Sequence, residues 1–211
     1  MTPDTPGTVD VAMTDVTAPG AVRTDETRRA LLAAAHDLLA GEGPGALSVR
    51  RIATAAGMST MNVYSRFGGK DGVLDELFAE GFRRLSEAMA KTPSTDDTLT
   101  DLRECGLAYR RFANEHPTYY SLMFDRVAPD YEPSPAARAE ALGALGRLEA
   151  RVQRAMDAGA IRPGDAFAVA TGLWACQHGL VSLESHNRHD AVFDWATVYP
   201  LTSDALVRGL T

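Results

Sequence analysis

The sequence predicts an all-α protein of about nine helices, with a small three-helix head followed by a larger helical body. Apolar residues recur at three- and four-residue spacing along most of the chain, and no stretch alternates apolar and polar residues as a half-buried strand does. Glycine and proline interrupt these apolar runs, as at Gly57, Pro93 and Pro117. The 211 residues, 45% of them hydrophobic, suffice to bury the core of one large or two small domains.

Residues 1–22 differ from the rest of the chain. They contain Pro, Thr, Gly and three aspartates, with no basic residue and no periodicity, which predicts a disordered leader. The chain has two cysteines, Cys105 and Cys176, too few for a disulfide framework. It has no recognisable signal peptide and no run of about 18 apolar residues that would cross a bilayer. We therefore expect a cytoplasmic protein that does not interact with membranes.

The first helix of the head is expected to begin near Thr24. This residue and the two acidic residues after it supply acceptors and negative charge to a helix N-terminus. Apolar residues then recur at helical spacing from Leu31 to Leu39, until Gly41 interrupts the pattern. The head therefore opens with one helix of moderate length.

Two shorter helices follow and form a helix-turn-helix. Ser48 can cap the second helix, and Gly57 can end it in a left-handed conformation. In the third helix Val63 faces the core, so that Met61 and Ser65, four residues apart, lie on the opposite side. Two helices of about two turns joined by a short glycine-containing turn are typical of this motif.

The head, residues 23–70, is basic, whereas the rest of the chain is acidic. It holds seven basic and four acidic residues in a chain of net charge −7, which is typical of a small nucleic-acid reader attached to another domain. The third helix offers hydrogen-bonding groups for base edges and phosphates and a methionine methyl for thymine. Lys70 lies at the N-terminus of the fourth helix, where the lysine and the free backbone amides could bind one phosphate together. The candidate DNA contacts are Ser48, Arg50, Arg51, Ser59, Thr60, Met61, Asn62, Tyr64, Ser65, Arg66 and Lys70.

An alternative interpretation of the same residues needs no DNA. A tight helical corner would also show this spacing, with Tyr64 packed against the head and Arg66 as a solvated charge.

The run from Thr24 to Phe78 resembles the N-terminal DNA-binding domain of the TetR family of transcriptional regulators. The resemblance rests on three motifs in order, Ile-Ala-x-x-Ala-Gly at 52–57, Tyr-x-x-Phe at 64–67 and Gly-Lys-Asp at 69–71. The chain departs from the family at Met61, where a small residue is frequent, and at Arg66, where histidine is frequent. The resemblance implies that the head binds DNA and that the departures affect how bases are read.

The body, residues 71–211, is expected to be helical throughout. Helices are expected at 70–90, 98–114, 134–158, 164–187 and 202–208, with a short one after Pro117. The segment LWACQHGLVSLE contains Trp174, His178 and Gly179 and resembles a TetR-type C-terminal domain in which Trp, His and Gly recur; residues 113–124 fit the same group. This resemblance implies a homodimer whose last two helices form a four-helix bundle. The two heads would then enter major grooves ~34 Å apart on a near-palindromic double-stranded DNA operator.

The body also carries candidate ligand contacts, which would line an apolar chamber with a few polar groups. They are Tyr109, Phe112, Tyr119, Met123, Phe124, Met156, Trp174 and His178. The alternative is that these aromatics and methionines simply form the core, with His178 as a satisfied core histidine. The effector expected from this set is an apolar or aromatic small molecule.

We expect a ligand-responsive repressor that a small molecule releases from its operator. Two other classes of function are alternatives to it. A metal- or redox-sensing regulator could use Cys105, Cys176 and His178, together with His186 and His189. These residues lack the paired, closely spaced ligands of a closed zinc site. No phosphate loop or nucleophile elbow indicates an enzyme. We therefore expect no catalytic residue, no metal site and no cofactor.

Overall fold

A computed structural model of the chain describes residues 19–125, 128, 130–187 and 190–211, with side chains from residue 25 onward. This part of the chain contains nine α-helices, one short 3-10 helix and no strand, which confirms the all-α prediction. The helices are α1 (Pro19–Glu42), α2 (Val49–Ala55), α3 (Thr60–Phe67), α4 (Lys70–Ala90), α5 (Thr98–Glu115), α6 (Pro117–Phe124), α7 (Pro135–Asp157), α8 (Ala166–His186) and α9 (Trp195–Arg208). The 3-10 helix, Pro44–Ala46, lies between α1 and α2.

Helix α1 is longer than predicted. It includes Pro19, so the last four residues of the predicted leader are helical and Thr24 lies inside the helix instead of capping it. Proline is compatible with the first turn of a helix because an amide N–H there has no intrahelical acceptor. The other residues of the predicted leader, 1–18, lie outside the described residues.

Helix α9 also begins earlier than predicted. It starts at Trp195 and continues through Pro200 instead of starting after it. Asp194 caps the helix by accepting a hydrogen bond from the Thr197 backbone N–H at 3.3 Å. Tyr199 is fully buried and anchors the first half of the helix to the body. The buried tyrosine and the cap therefore outweigh the one backbone hydrogen bond that proline cannot donate.

The N-terminal helices pack around a small core of their own. This head core joins residues of α1, α2, α3 and the first half of α4, with Leu31, Ile52, Val63 and Val73 fully buried. Leu122 of α6 is also part of it. Neither α2 nor α3 is long enough to be stable alone, so this packing is what holds them.

The body packs around two further clusters. The first joins the second half of α4 to α5, α6, α7, α8 and α9, and the second lies where α5, α7, α8 and α9 meet. Helix α4 therefore extends from the head core into the body core, where Phe82 and Leu85 are buried. The same helix is thus part of both cores.

Helix α8 is long and apolar enough, by length and composition, to cross a membrane. It also contains Glu184, which is 8% exposed and accepts two 2.7 Å hydrogen bonds from Arg110 of α5. One side of α8 thus faces the core and contains this ion pair, whereas Phe167 and Leu183 of the same helix are exposed to solvent.

Candidate functional site

The helix-turn-helix is built by the local signals that the sequence contains. Ser48 Oγ accepts the Arg51 backbone N–H at 3.3 Å and caps α2, as predicted. Gly57 has φ 65°, the left-handed conformation expected for it. Gly68 and Gly69 have φ 73° and 148°, so glycines also make the sharp turn from α3 into α4.

One side of α3 is open to solvent. Val63 is fully buried in the head core, whereas Met61 is 70% exposed and Tyr64 is 55% exposed. Ser65 lies beside them, and Lys70 is exposed as the first residue of α4. Large side chains exposed on a short helix that already has a core face are available to a partner, here on the face predicted to meet DNA.

Two predicted base readers on this helix are bound to each other. Arg66 Nη1 donates to Asn62 Oδ1 at 2.8 Å, and Asn62 Nδ2 donates to Ser59 Oγ at 3.2 Å. Both Asn62 and Arg66 are half-buried. Met61 and Tyr64 are therefore open to a partner in this structure, whereas Asn62 already makes two internal hydrogen bonds.

The remaining predicted contacts lie around α2 and at the start of α3. Arg50 and Thr60 are exposed. Arg51 is exposed too, but its Nη2 donates to Glu42 Oε1 of α1 at 2.5 Å. Such an exposed ion pair is weak and can be replaced by a phosphate contact.

A cavity of about 320 Å³ lies in the body, within the size range of small-molecule sites. Its walls come from α4, α5, α6, α7, α8 and α9. Leu142 of α7, one of the lining residues, is 65% exposed. The lining residues are Phe78, Phe82, Leu85, Met89, Leu102, Cys105, Gly106, Tyr109, Met123, Phe124, Ala141, Leu142, Ala144, Leu145, Leu148, Leu173, Trp174, Gln177 and Val207.

The structure brings four of the eight predicted ligand contacts to this cavity, namely Tyr109, Met123, Phe124 and Trp174. The other four do not line it. Phe112 is buried in the core and faces a separate polar groove between α4 and α5. Met156 packs in the cluster between α5, α7, α8 and α9. Both are buried apolar side chains whose spacing does not distinguish a cavity wall from a packed core.

Tyr119 and His178 do not line the cavity either, although the His178 ring packs behind two wall residues, with its centroid 4.8 Å from that of Phe124 and 6.1 Å from that of Trp174. The Tyr119 ring is 4.8 Å from that of His36 and lies under Arg84, so it joins α6 to α1 and α4. His178 Nδ1 and the Tyr120 hydroxyl form a hydrogen bond of 2.7 Å. His178 is half-buried, and burial lowers the pKa of its imidazole, which favours the neutral form.

The ionisable groups of the cavity wall are neutral. Burial raises the pKa of the Cys105 thiol to about 11 and that of the Tyr109 hydroxyl to about 12. The Tyr109 hydroxyl is 3.2 Å from that of Tyr120, which lies behind the wall. The described residues of the cavity wall therefore include polar groups but no charged group.

Sequence reasoning missed Gln177, the one amide in the cavity wall. It is 7% exposed and lies on α8 between the buried Leu173 and Val181, each four residues away. A polar residue within a buried helical stripe is a signal that the sequence does contain.

The residues of the metal or redox alternative are not brought together. The described part of the chain holds no group of three His, Cys, Asp or Glu side chains that could bind a metal ion. Cys105 is buried, Cys176 is exposed and His178 bonds to Tyr120. His189 lies outside the described residues.

Two family models match the chain. Residues 31–77 match the family of bacterial regulatory proteins of the tetR type, and residues 102–206 match the tetracyclin repressor-like C-terminal domain. Together these matches include α2, α3 and most of the cavity wall. No curated protein sequence matches the chain.

Solved structures share the whole fold. A protein of unknown function from Rhodococcus sp. RHA1 is 29% identical, with a TM-score of 0.76 over 87% of this chain and 95% of that one. The TetR family transcriptional regulator PfmR from Thermus thermophilus is 24% identical, with a TM-score of 0.66 over 86% and 98% of the two chains. The fatty acid degradation regulator FadR from Bacillus halodurans is 16% identical, with a TM-score of 0.71 over 86% and 94%. The chain belongs to the TetR family and is a ligand-responsive, DNA-binding transcriptional regulator.

Proposed function

We propose that the protein is a homodimeric repressor that leaves a near-palindromic operator when a small molecule fills the body cavity. In this proposal residues 23–70 bind DNA and residues 71–211 bind the effector and the second protomer. The observation that carries it is that α6 and α4 each contribute both to the cavity wall and to the head core.

Helix α6 is the shorter of these two connections. Met123 and Phe124 line the cavity, while the preceding residue, Leu122, is 7% exposed and packs in the head core. A ligand that pushes Met123 outward therefore moves a helix of eight residues whose other side contacts the head. Rigid short helices transmit such displacements because packed interiors do not absorb them.

Helix α4 is the longer connection. Phe78 and Phe82 line the cavity, and Leu74 and Leu77, about one turn earlier, are buried in the head core. Because Val63 of α3 packs in the same head core as Leu74 and Leu77, a tilt of α4 carries α3 with it. The spacing of the two DNA-reading helices in a dimer then changes, and ligand favours the DNA-free population.

Exposed apolar side chains on α8 and α9 support dimerisation through these helices. Phe167 and Leu183 of α8 are 48% and 56% exposed, and Leu201 of α9 is 67% exposed. Val192 and Phe193 in the connection between the helices are 82% and 44% exposed. A second copy that covers this surface forms the four-helix bundle and accounts for the apolar character of α8 without a membrane.

The test uses the full-length protein and labelled DNA from directly upstream of its own coding region. Fluorescence anisotropy with excess random competitor, at two salt concentrations, is expected to show saturable binding by two protomers per site. The variant Met61→Ala should change which operator positions are preferred, because Met61 is a highly exposed side chain of α3 that can contact thymine methyls. Failure to find any sequence-preferring site, including after selection from random DNA, would overturn the proposal.

Release by ligand has its own thermodynamic signature. By linkage, an effector that weakens DNA binding must bind the DNA complex more weakly than the free protein by the same factor. A ligand that binds the cavity with equal affinity in both states would contradict the proposed release mechanism, even where DNA binding is specific.

A further inference from the structure

One buried polar atom in the cavity wall lacks a hydrogen-bond partner in the part of the chain that the structure describes. Gln177 Nε2 donates to Ser203 Oγ of α9 at 2.8 Å, whereas Gln177 Oε1 has no hydrogen-bond partner among the described residues. The residue is only 7% exposed, and it lines the cavity. A buried amide oxygen without a partner is uncommon because it loses its hydrogen bond to water on folding and gains none.

The neighbouring polar groups are already satisfied. The Tyr199 hydroxyl donates to the Gly106 carbonyl at 2.9 Å. Gly106 also leaves room for the amide, since a Cβ there would lie 2.8 Å from Gln177 Nε2. Rotating the amide by about 180° would pair the oxygen with Ser203 and leave the NH₂ group free instead. In either orientation one end of the amide, the oxygen or the NH₂ group, can hydrogen-bond to a ligand.

A hydroxyl group satisfies both orientations because it can donate and accept. Tyr109 is the other polar residue of the wall with a strong hydrogen-bonding group, and its hydroxyl is already close to Tyr120 and to His178 Nδ1, at 3.2 and 3.4 Å. Gln177 is therefore the group that can select a ligand by a new hydrogen bond.

The wall provides no counter-charge for an ionised ligand. All of its residues lie in the described part of the chain, and none is Asp, Glu, Lys, Arg or His. A carboxylate or phosphate that entered this cavity would lose its hydration without a cation to replace it. A neutral ligand avoids that loss.

We propose that the effector is a neutral, mainly apolar molecule whose hydroxyl group hydrogen-bonds to Gln177. This inference rests on the proposed function, in which the cavity holds the effector. The aromatic and aliphatic wall binds the apolar part, and the amide fixes the orientation of the molecule in the cavity.

The test compares decan-1-ol with decanoate at pH 7.5, two probes with the same number of carbon atoms and different head groups. Affinities are measured by calorimetry and by quenching of Trp174, which lines the cavity. Wild-type protein is expected to bind decan-1-ol at least tenfold more tightly than decanoate. Gln177→Met should weaken decan-1-ol binding about five- to tenfold, the effect of one hydrogen bond. Gln153→Met, at an exposed glutamine of α7, is the matched control and should leave both affinities unchanged.

Three results would overturn the inference. They are decanoate binding as tightly as decan-1-ol, no binding of either probe up to its solubility limit, and wild-type affinity for decan-1-ol in a folded Gln177→Met protein. If Gln177→Met does not fold, Gln177→Asn withdraws the same amide by one methylene and must show the same loss. Operator binding is measured on each preparation without probe. Specific DNA binding with a failed probe test rejects this inference alone, whereas absent DNA binding rejects the proposed function.

Discussion

Gly72 fixes the distance between α3 and α4, and its replacement by alanine gives a sharp test of the structure. A Cβ at this position would lie 1.7 Å from the Phe67 carbonyl oxygen and 2.8 Å from its carbon. Both are backbone atoms, so no side-chain rotation can relieve the contact. The end of α3 would have to move away from α4, although Arg28 holds this corner by donating to the Arg66 carbonyl at 3.2 Å and packing over Phe67.

The size of the effect follows from two opposing terms. Alanine gains up to about 1 kcal/mol over glycine in helix propensity. Overpacking a tight contact typically costs about 1–3 kcal/mol, and more where only backbone can move. We expect a net loss of about 2 kcal/mol, which corresponds to a fall in Tm of about 4–8 °C for a chain of this length. The displaced α3 should also weaken operator binding.

The assay is thermal unfolding together with operator anisotropy, on Gly72→Ala and on a matched control, Gly143→Ala. Gly143 lies in α7 and is exposed, and a Cβ there would meet no atom within 4 Å. Its substitution should therefore be neutral or stabilising by up to about 1 kcal/mol. A Gly72→Ala protein with the Tm and operator affinity of the control would refute the close approach of α3 and α4.

Three further predictions concern the cavity, the DNA contact and pH. A Cβ at Gly81 would lie 2.6 Å from Met123 Sδ, so Gly81→Ala should push that flexible side chain into the cavity and weaken decan-1-ol binding severalfold; unchanged affinity would contradict this. Lys70→Gln should lower the slope of log affinity against log salt by about 0.9, whereas Lys91→Gln at the other end of α4 should not. Burial lowers the pKa of His178 in the folded protein. The stabilising contribution of the neutral imidazole is therefore complete above the unfolded-state pKa of about 6.5 and is lost as the pH falls through the folded-state pKa. Wild type should thus lose more stability between about pH 7 and 5 than His178→Gln does. Parallel losses in the two proteins would be evidence against a lowered pKa of the half-buried His178.

The sequence predicts elements well where the signal is local. The expected bounds of α4 are those observed, since Lys70 follows two glycines and Pro93 follows its end. The Ser48 cap and the left-handed Gly57 are likewise encoded within a few residues. The start of α9 is not predictable in this way, because Pro200 favours a boundary, whereas burial of Tyr199 against distant helices keeps the helix continuous.

The sequence predicts only some of the cavity-lining residues, because the cavity wall is formed by several helices that pack together. Tyr109 and Phe112 are both buried aromatics of α5, three residues apart, yet one lines the cavity and the other does not. The difference depends on where small residues such as Ala141 and Ala144 of α7 leave space opposite, and no spacing within α5 encodes it. By contrast, the Asn62–Arg66 bond joins residues four apart on one helix, so the sequence alone could have indicated it.

Helix α8 explains how one segment can serve the core, the cavity and the proposed dimer. A helix that buries a single stripe has a polar opposite face, but α8 has exposed Phe167 and Leu183 in addition to a core stripe that includes Leu173 and Val181. A helix that is apolar on several sides needs cover on each of them, and the described part of the chain covers only one. The second copy supplies the rest in the proposed bundle, so Gln177 in the cavity wall lies on the same helix that would meet the partner. In the proposed dimer, a ligand hydrogen-bonded to Gln177 would therefore contact α4 within the protomer and α8 at the interface, the two elements that we propose set the spacing of the heads.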